Sequence, residues 1–150
     1  MELRTHRTSY KTATEEETIA LGRDLAGDLS GAVLLIGNHG AGKTTLAKGI
    51  VEGRKVATID DVSSPTFTLI HQYGADAAAG GQPVYHIDLY RLDESRQVES
   101  LGLDELFASG ALLLLEWAER FPALLPRSRT EIHLRALEDE SREIIVNRVE

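Results

Sequence analysis

Two short runs without a polar position dominate the hydrophobic pattern of this chain. Residues 32–36 (Ala-Val-Leu-Leu-Ile) and 111–115 (Ala-Leu-Leu-Leu-Leu) are apolar throughout, which is typical of strands buried on both faces of a parallel sheet. Apolar residues at helical spacing follow the first run over residues 43–52, and they predict a helix directly after that strand. The pattern therefore indicates an α/β fold.

An alternating pattern elsewhere predicts two antiparallel hairpins. Residues 66–73 and 84–89 alternate on either side of residues 74–81, an Ala/Gly-rich segment that predicts a flexible hairpin tip. Residues 130–137 and 142–149 alternate in the same way and predict a C-terminal hairpin. The side chains expected on its buried face are Ile132, Leu134, Ile144 and Val146.

Weaker signals add several short elements. Residues 6–11 and 56–62 predict strands, the second of them ending in two aspartates. Thr14 before three glutamates predicts a helix N-cap, and Glu17 would complete a capping box for a helix that runs to about Gly27. The apolar face expected for this helix consists of Ile19, Leu21, Leu25 and Leu29. Two further short helices are predicted over residues 93–100 and 103–108.

A glycine-rich loop lies between the first apolar run and its helix. Its sequence, Gly37-Asn38-His39-Gly40-Ala41-Gly42-Lys43-Thr44, fits G-x-x-x-x-G-K-[ST], the phosphate-binding P-loop. In such a loop, backbone N–H groups and the helix N-terminus surround phosphate oxygens. We expect Lys43 to reach the β- and γ-phosphates and the Thr44 hydroxyl to hold Mg²⁺. The predicted fold is thus a three-layer P-loop NTPase, with a mixed, mainly parallel central sheet and antiparallel hairpins.

Hydrolysis at a P-loop also needs a carboxylate for Mg²⁺ and a group that positions water. Glu116 closes the most apolar strand and is the preferred Walker B-type acid, with an idle, solvated carboxylate as the alternative. Asp88, after the strand at 84–87, is a candidate for positioning water or sensing the nucleotide, or else a plain surface acid. Thr66 is either a γ-phosphate or metal contact or a local turn cap. Asp60 and Asp61 rank third.

The remaining candidate side chains leave alternatives open. His39 in the glycine loop either contacts phosphate or a partner or merely fills its position. His71 and His86 would lie on facing strands, but no third ligand at suitable spacing supports a zinc site. Trp117 is either a core side chain or an aromatic group near the nucleotide or a partner.

Composition narrows the class of protein. The chain has 150 residues, enough for one domain over residues 1–150, and no Cys, which excludes disulfides and thiolate metal sites. A net charge of −8 argues against unaided binding to nucleic acid, which needs a basic surface. No apolar run is long enough to cross a membrane, and the first residues lack the apolar region of a signal peptide. We expect a soluble, cytoplasmic protein.

Four segments together closely resemble the TsaE family. They are G-N-H-G-A-G-K-T-T at residues 37–45, S-P-T-F-T-L at 64–69, V-Y-H-I-D-L-Y-R-L at 84–92 and L-L-L-E-W at 113–117. The resemblance covers about residues 14–137. It implies a bacterial Mg²⁺-dependent ATPase, weak alone, that is required for threonylcarbamoyladenosine next to the tRNA anticodon. It also implies that TsaB and TsaD are the partners, that TsaD performs the transfer to tRNA, and that the ATP cycle resets the complex.

The resemblance assigns roles residue by residue. Lys43, Thr66, Asp88 and Glu116 become the expected catalytic residues, and Thr44 and Glu116 the expected Mg²⁺ ligands. Thr66 falls in a switch I-like segment and Asp88 in a switch II-like segment, while Trp117 matches a Trp of the family. The residues expected to bind ATP are Glu15, Gly37, Asn38, His39, Gly40, Ala41, Gly42, Lys43, Thr44 and Thr45. No guanine-reading N-K-x-D motif occurs, which favours ATP over GTP.

One departure from the family lies in the loop itself. Asn38 and His39 stand where the family usually has Asp-Leu. The glycines and the lysine are retained, so phosphate binding should survive, while metal, water or partner contacts could differ. Two alternatives to an ATPase subunit of a tRNA-modifying complex stay open: a P-loop small-molecule kinase and a nucleotide-dependent switch that does not hydrolyse ATP.

Overall fold

A computed structural model of the chain describes residues 5–57, 60, 62, 69–74 and 82–149. Four helices and seven strands occur in this part. In chain order they are β1 (Thr5–Thr12), α1 (Glu15–Ala26), β2 (Ala32–Ile36), α2 (Lys43–Gly53), β3 (Ile70–Tyr73), β4 (Val84–Asp88), α3 (Ser95–Glu99), α4 (Leu103–Ala108), β5 (Leu112–Glu116), β6 (Arg129–Ala136) and β7 (Arg142–Val149). Two 3₁₀ turns, Ala118–Arg120 and Pro122–Leu124, follow β5.

The strands form one mixed sheet in the order β1-β7-β6-β2-β5-β4-β3. The four central strands, β6, β2, β5 and β4, are parallel. Antiparallel pairs flank them on both sides, because β3 returns along β4 and β7 lies between β6 and β1. The predicted mixed sheet with antiparallel hairpins is confirmed. The central strands are parallel, as predicted, and the flanking hairpins and the N-terminal strand add as many antiparallel pairs as there are parallel ones.

Alternation along the central strands divides the core into two parts. Val33 and Leu35 of β2 point toward α1 and α2, whereas Leu34 belongs to the cluster that α3, α4 and the 3₁₀ turns cover. Successive side chains of a strand point to opposite faces, so an all-apolar strand is the sequence that suits helices on both sides. The result is the predicted three-layer arrangement.

The helices α1 and α2 approach closely at glycines, while Leu25 and Leu29 of the predicted apolar stripe are buried in the core. A Cβ at Gly49 would lie 2.1 Å from the carbonyl oxygen of Ile19, and one at Gly22 would lie 2.6 Å from that of Leu46. The buried positions of α1 are Thr18, Gly22, Leu25 and Ala26, and Ile19 and Leu21 are only partly buried. Close backbone approach therefore replaces side-chain interdigitation along this helix pair.

The start of α1 follows the prediction with one difference. Thr14 is the N-cap, and its hydroxyl oxygen accepts a hydrogen bond from the Glu17 N–H. The Glu17 carboxylate reaches back one residue further than a capping box requires and accepts from the Ala13 N–H. Both bonds satisfy donors that the first turn of a helix leaves free.

Hairpin predictions are confirmed wherever the structure describes them. In the C-terminal hairpin, Ile132 pairs with Val146 and Leu134 with Ile144, as expected for a shared buried face. In the other hairpin, β3 pairs antiparallel with β4. The predicted strand start at residues 66–68 and most of the tip at 75–81 lie outside the described residues.

The strand predicted over residues 56–62 is wrong for the residues of it that are described. Val56, Ala57, Asp60 and Val62 do not lie in a strand. After α2, Lys55 adopts a left-handed conformation with φ of 62°, and Val56 and Ala57 then pack against the core. The apolar signal of this stretch reflects partial burial against the core. In the described part of the chain, no helix is long and apolar enough to span a membrane.

Candidate active site

The loop from Gly37 to Thr44 connects β2 to α2 and ends at the helix N-terminus. Gly40 and Gly42 have φ of 80° and 104°, in the left-handed region that glycine adopts without strain. Gly42 is the N-cap of α2 and has no side chain that could accept hydrogen bonds from the first N–H groups of the helix. These N–H groups are therefore directed at the loop. Gly37 has a different constraint, since a Cβ there would lie 2.6 Å from the Leu134 carbonyl oxygen of β6.

Lys43 begins α2 and is almost completely enclosed, with 6% of its surface exposed. Its Nζ donates to the Gly37 carbonyl oxygen at 2.7 Å and lies 3.9 Å from the ring centroid of Trp117. Burial lowers the pKa of the Lys43 ammonium, while the carboxylates of Glu116, Glu119 and Asp88 act in the opposite direction. A cation held this way is poorly solvated and available for an anionic ligand.

Two buried carboxylates face the loop from neighbouring strands. Asp88 of β4 and Glu116 of β5 are register partners at the carboxyl ends of these parallel strands. Glu116 Oε1 lies 4.0 Å from Lys43 Nζ, and Asp88 Oδ1 accepts from the Tyr90 N–H at 2.9 Å. As predicted, the strand that carries Glu116 lies beside β2, where Glu116 is the register partner of Leu35.

His86 supports Glu116 from inside the protein. It is fully buried, and its Nε2 lies 2.5 Å from Glu116 Oε2. A carboxylate only accepts hydrogen bonds, so Nε2 carries the proton that is shared with Glu116. His86 Nδ1 has no hydrogen-bond partner among the described residues.

No sequence pattern indicates this role for His86, because the contact depends on the register between β4 and β5. His71 lies opposite His86 across β3 and β4, and its Nδ1 lies 3.2 Å from the Tyr73 hydroxyl oxygen. In the described residues, no three His, Asp or Glu side chains are grouped so that they could hold a metal ion.

An open cavity of about 700 Å³ gathers most of the predicted site. It is lined by these predicted residues: Glu15, His39, Gly40, Gly42, Lys43, Thr44, Thr45, Asp88, Glu116 and Trp117. Gly37 and Asn38 instead line a second cavity of about 520 Å³ on β6 and β7, and Ala41 is buried in the core. Thr66 lies outside the described residues.

Two arginines that the sequence analysis missed shape the site. Arg142, at the start of β7, lines the cavity and donates through Nη2 to the Gly40 carbonyl oxygen at 3.3 Å. Arg120 donates through Nη2 to the carbonyl oxygens of Leu89, Tyr90 and Leu92 at 2.6–2.9 Å and so holds the segment after Asp88. Arg120 and Tyr90 are 30 positions apart in the chain, and Arg142 and Gly40 are 102 positions apart. No local sequence pattern predicts contacts between residues so distant.

The chemistry of this cavity suits an anionic phosphate chain with a divalent cation. Lys43 and Arg142 line the cavity, and cationic side chains and the N–H groups of a helix N-terminus are groups that suit anionic oxygens. The carboxylates of Asp88 and Glu116 and the hydroxyl of Thr44 are oxygen ligands of the kind that Mg²⁺ prefers.

Comparison with known proteins identifies the family. The profile of the family described as "Threonylcarbamoyl adenosine biosynthesis protein TsaE" matches residues 12–144. The chain belongs to the TsaE family. The TsaE match includes the glycine loop, Asp88, Glu116 and Arg142, and so covers the cavity described above.

Curated TsaE proteins match most of the chain. The tRNA threonylcarbamoyladenosine biosynthesis protein TsaE of Bacillus subtilis is 40% identical over 137 residues, which are 90% of this chain and 82% of that protein. The protein of the same name from Nostoc is 42% identical over 117 residues, 73% of this chain and 67% of that protein. Their names place these relatives in the biosynthesis of threonylcarbamoyladenosine in tRNA.

A solved structure shares the fold. The crystal structure of Bacillus subtilis YdiB superposes with a TM-score of 0.76 at 32% identity, and the match covers 98% of this chain and 88% of that one. The TsaE resemblance drawn from sequence motifs is confirmed by both comparisons.

Proposed function

We propose that this chain is a P-loop ATPase that hydrolyses ATP with Mg²⁺ in the formation of threonylcarbamoyladenosine in tRNA. We further propose that it acts on a complex of TsaB and TsaD, with weak turnover on its own. Membership of the TsaE family supports the pathway. The ATPase activity is argued from the site.

The observation that carries the proposal is the convergence of Lys43, Thr44, Glu116 and Asp88 on one cavity at the N-terminus of α2. Lys43 and the N–H groups of the first helical turn would bind the β- and γ-phosphates of ATP. Thr44 and Glu116 would hold Mg²⁺, whose charge offsets the negative charge that develops on the phosphates during hydrolysis. Asp88 lies beside Glu116 and is the residue we assign to positioning water.

The charges of the cavity explain why a divalent cation is needed. Four carboxylates line it, from Glu15, Asp88, Glu116 and Glu140, against the cations of Lys43 and Arg142. A triphosphate entering alone would face net repulsion, since like charges in a partly buried site are costly. A cation held by Glu116 and Thr44 removes that cost and sets the phosphates within reach of Lys43.

The charge of the whole chain supports an indirect route to tRNA. A net charge of −8 disfavours direct binding to the negatively charged phosphate backbone of tRNA. We therefore assign tRNA binding to the partner proteins and nucleotide turnover to this chain.

The test is ATP turnover by the purified chain, measured alone and with TsaB, TsaD and tRNA. Strong stimulation by the partners is the expected result. Transfer of phosphate to an added metabolite would replace the proposal with a small-molecule kinase. Tight ATP binding without turnover under every condition would replace it with a nucleotide-dependent switch.

A further inference from the structure

Three aromatic rings meet at the edge of the glycine loop. His39 belongs to the loop after β2, Tyr90 follows β4, and Trp117 follows β5. The ring centroids of His39 and Tyr90 are 4.8 Å apart in an edge-to-face arrangement, those of His39 and Trp117 are 5.1 Å apart, and those of Tyr90 and Trp117 are 5.2 Å apart. These separations lie within the favourable range for aromatic pairs. We call the three rings the aromatic latch.

The latch joins segments that would otherwise be independent. β2, β5 and β4 are adjacent in the sheet, so the loops after them emerge side by side at one edge. Trp117 has φ of 65°, a conformation uncommon for a non-glycine residue, directly after Glu116. Tyr90 is 43% exposed, the highest exposure of a large hydrophobic side chain among the described residues. An exposed ring held by two partners indicates a specific arrangement.

Lys43 connects the latch to the phosphate site. Its ammonium lies over the Trp117 ring, 3.9 Å from the centroid, while it donates to the Gly37 carbonyl oxygen. The cation–π contact and this hydrogen bond hold Lys43 in this position. To bind the β- and γ-phosphates, the ammonium has to leave the Gly37 oxygen, and its position over the ring changes with it.

A second connection runs through Asp88. Its Oδ1 accepts from the Tyr90 N–H, and the Leu89 N–H donates to the Glu116 carbonyl oxygen at 3.0 Å. A shift of the Asp88 carboxylate toward a cation or a water molecule would therefore act on the backbone of Tyr90. Both ends of the latch are thus bonded to residues that we assign to the nucleotide.

We propose that the aromatic latch holds Lys43 in a resting position over the Trp117 ring and opens when a triphosphate takes over the ammonium group. This proposal rests on the nucleotide binding proposed above. His39 and Tyr90 are positioning residues in it, because they act through Trp117 and Lys43. Any ligand can shift a conformational equilibrium only through different affinities for its two states. The resting contacts of Lys43 supply that difference here.

The test uses the fluorescence of Trp117, the only Trp of the chain. Excitation selective for Trp reports on the latch in the full chain, with and without Mg²⁺ and a non-hydrolysable ATP analogue. The variants are His39→Leu and Tyr90→Ala, which remove a ring, and His39→Phe and Tyr90→Phe, which keep one. His133→Leu is the matched control, since His133 is also exposed and lies outside the latch and the 700 Å³ cavity.

We expect the ring-removing variants to change the Trp117 emission of the nucleotide-free protein and to bind the ATP analogue roughly three- to tenfold more tightly, because the resting state loses one aromatic pair. Tyr90→Phe and the control should match the original protein, and His39→Phe should keep the Trp117 emission that the original protein shows without nucleotide. Thermal unfolding of each variant verifies that it is folded.

Weaker binding of the analogue by the ring-removing variants, or an emission that none of them changes, overturns the latch while leaving nucleotide binding intact. Failure of the unaltered chain to bind ATP at all removes the proposed function, and the latch with it. These two failures are therefore distinguishable by the affinity of the unaltered chain.

Discussion

Lys43 combines an ammonium group with an almost fully buried position. Its contacts in the nucleotide-free protein are a backbone carbonyl, an aromatic face and a carboxylate at 4.0 Å. These contacts compensate only in part for lost hydration, which is why burial lowers its pKa. The residue is therefore placed for a phosphate ligand at some cost to the stability of the empty protein.

Replacing Lys43 by Met should separate these two effects. Lys43→Met keeps most of the volume and removes the charge, so affinity for ATP should fall by at least about 100-fold, in line with the loss of a charged contact. The free energy of unfolding of the empty protein should rise by about 1 kcal/mol. Calorimetric titration and urea unfolding measure the two quantities. A less stable Lys43→Met variant would contradict the idea that the ammonium is costly.

The same reasoning gives a dependence on pH. The pKa of Lys43 in the folded protein lies below its ordinary value of 10.5, so the folded state releases this proton at lower pH than the unfolded chain. The loss of folding stability caused by burying the charged ammonium is complete at pH values below the folded-state pKa. It decreases as the pH rises from there toward 10.5. The stability difference between Lys43→Met and the original protein should accordingly shrink in alkaline buffer. A stability difference between the two proteins that stays constant in alkaline buffer would contradict the lowered pKa of Lys43.

Glu116 should matter more for turnover than for binding of the nucleotide. Glu116→Gln retains the shape and an acceptor for His86 but loses the negative charge that would hold Mg²⁺. We expect Mg²⁺-dependent ATP hydrolysis to fall by roughly 100-fold or more, with Mg²⁺-free ADP binding changed only a few-fold. Turnover assays and titrations measure the two effects, with Glu105→Gln on the exposed face of α4 as control. Equal losses in both would make Glu116 a structural residue.

Among the elements, the packing of α1 against α2 is the most sensitive to the addition of a single side-chain atom. Gly22, Gly49 and Gly53 each face backbone or side-chain atoms of the other helix at distances that exclude a Cβ. α2 carries Lys43 and Thr44 at its first turn, and α1 starts beside the cavity at Glu15. The glycine contacts therefore set the distance between two walls of the site.

Gly49→Ala should destabilise the protein strongly, because the new methyl group would lie 2.1 Å from the Ile19 carbonyl oxygen. Overpacking of backbone costs about 3 kcal/mol. Gly27→Ala is the matched control, since it follows α1 with φ of −69° and a Cβ there meets no described atom within 4 Å. It should be neutral or slightly stabilising. Denaturant unfolding of both variants gives the comparison, and similar stabilities would contradict the packing argument.

Elements were predictable from the sequence where local pattern and burial agree. β2 and β5 are apolar because both of their faces are covered. Apolar and polar residues alternate along β6 and β7 because only one face of these strands is covered. The pattern failed at Val56 and Ala57, which pack against the core without forming a strand. It found Leu25 on the buried face of α1 and the buried Leu29 after this helix but missed Gly22, since a glycine in close contact carries no hydrophobic signal.

The residues of the site also divide into those that a local sequence pattern predicts and those that it does not. Lys43, Asp88 and Glu116 were predictable because a motif or a strand end places each of them at the same edge of the sheet. The contacts His86–Glu116 and Arg142–Gly40 were not, because each depends on strand register or on residues distant along the chain. Sequence patterns thus located Lys43, Asp88 and Glu116 in the cavity lining and missed the contacts that His86 and Arg142 make there.

At the scale of the whole molecule, the cavity unites both ends of the chain. Glu15 contributes from α1, the glycine loop and Asp88 from the middle, and Arg142 from the last strand. A ligand that contacts all of them would hold these parts together in the folded state only. Binding should therefore stabilise the entire fold rather than the loop alone.

Mg²⁺ with a non-hydrolysable ATP analogue at about 100 times its Kd should stabilise the chain by about 2.7 kcal/mol, or roughly 5–10 °C in Tm. Arg142→Ala should reduce this shift at the same ligand concentration, because it removes one of two cations that line the cavity. Arg127→Ala, at an exposed position outside the cavity, should keep it. Thermal unfolding with and without ligand measures both. An unchanged shift in Arg142→Ala would exclude Arg142 from the nucleotide site.

The contact between Gly37 and β6 bears on how the glycine loop is inherited. Gly37 is confined by the Leu134 carbonyl oxygen, whereas a Cβ at Gly40 would meet no described atom within 4 Å. Selection for folding alone would therefore preserve the first glycine of the motif, even in a descendant that had abandoned nucleotides. In such a descendant, no packing contact would exclude a side chain at Gly40. The strain of a left-handed backbone would be the remaining cost of a side chain there. The first glycine of this motif is thus a marker of ancestry, and its presence alone says nothing of nucleotide binding.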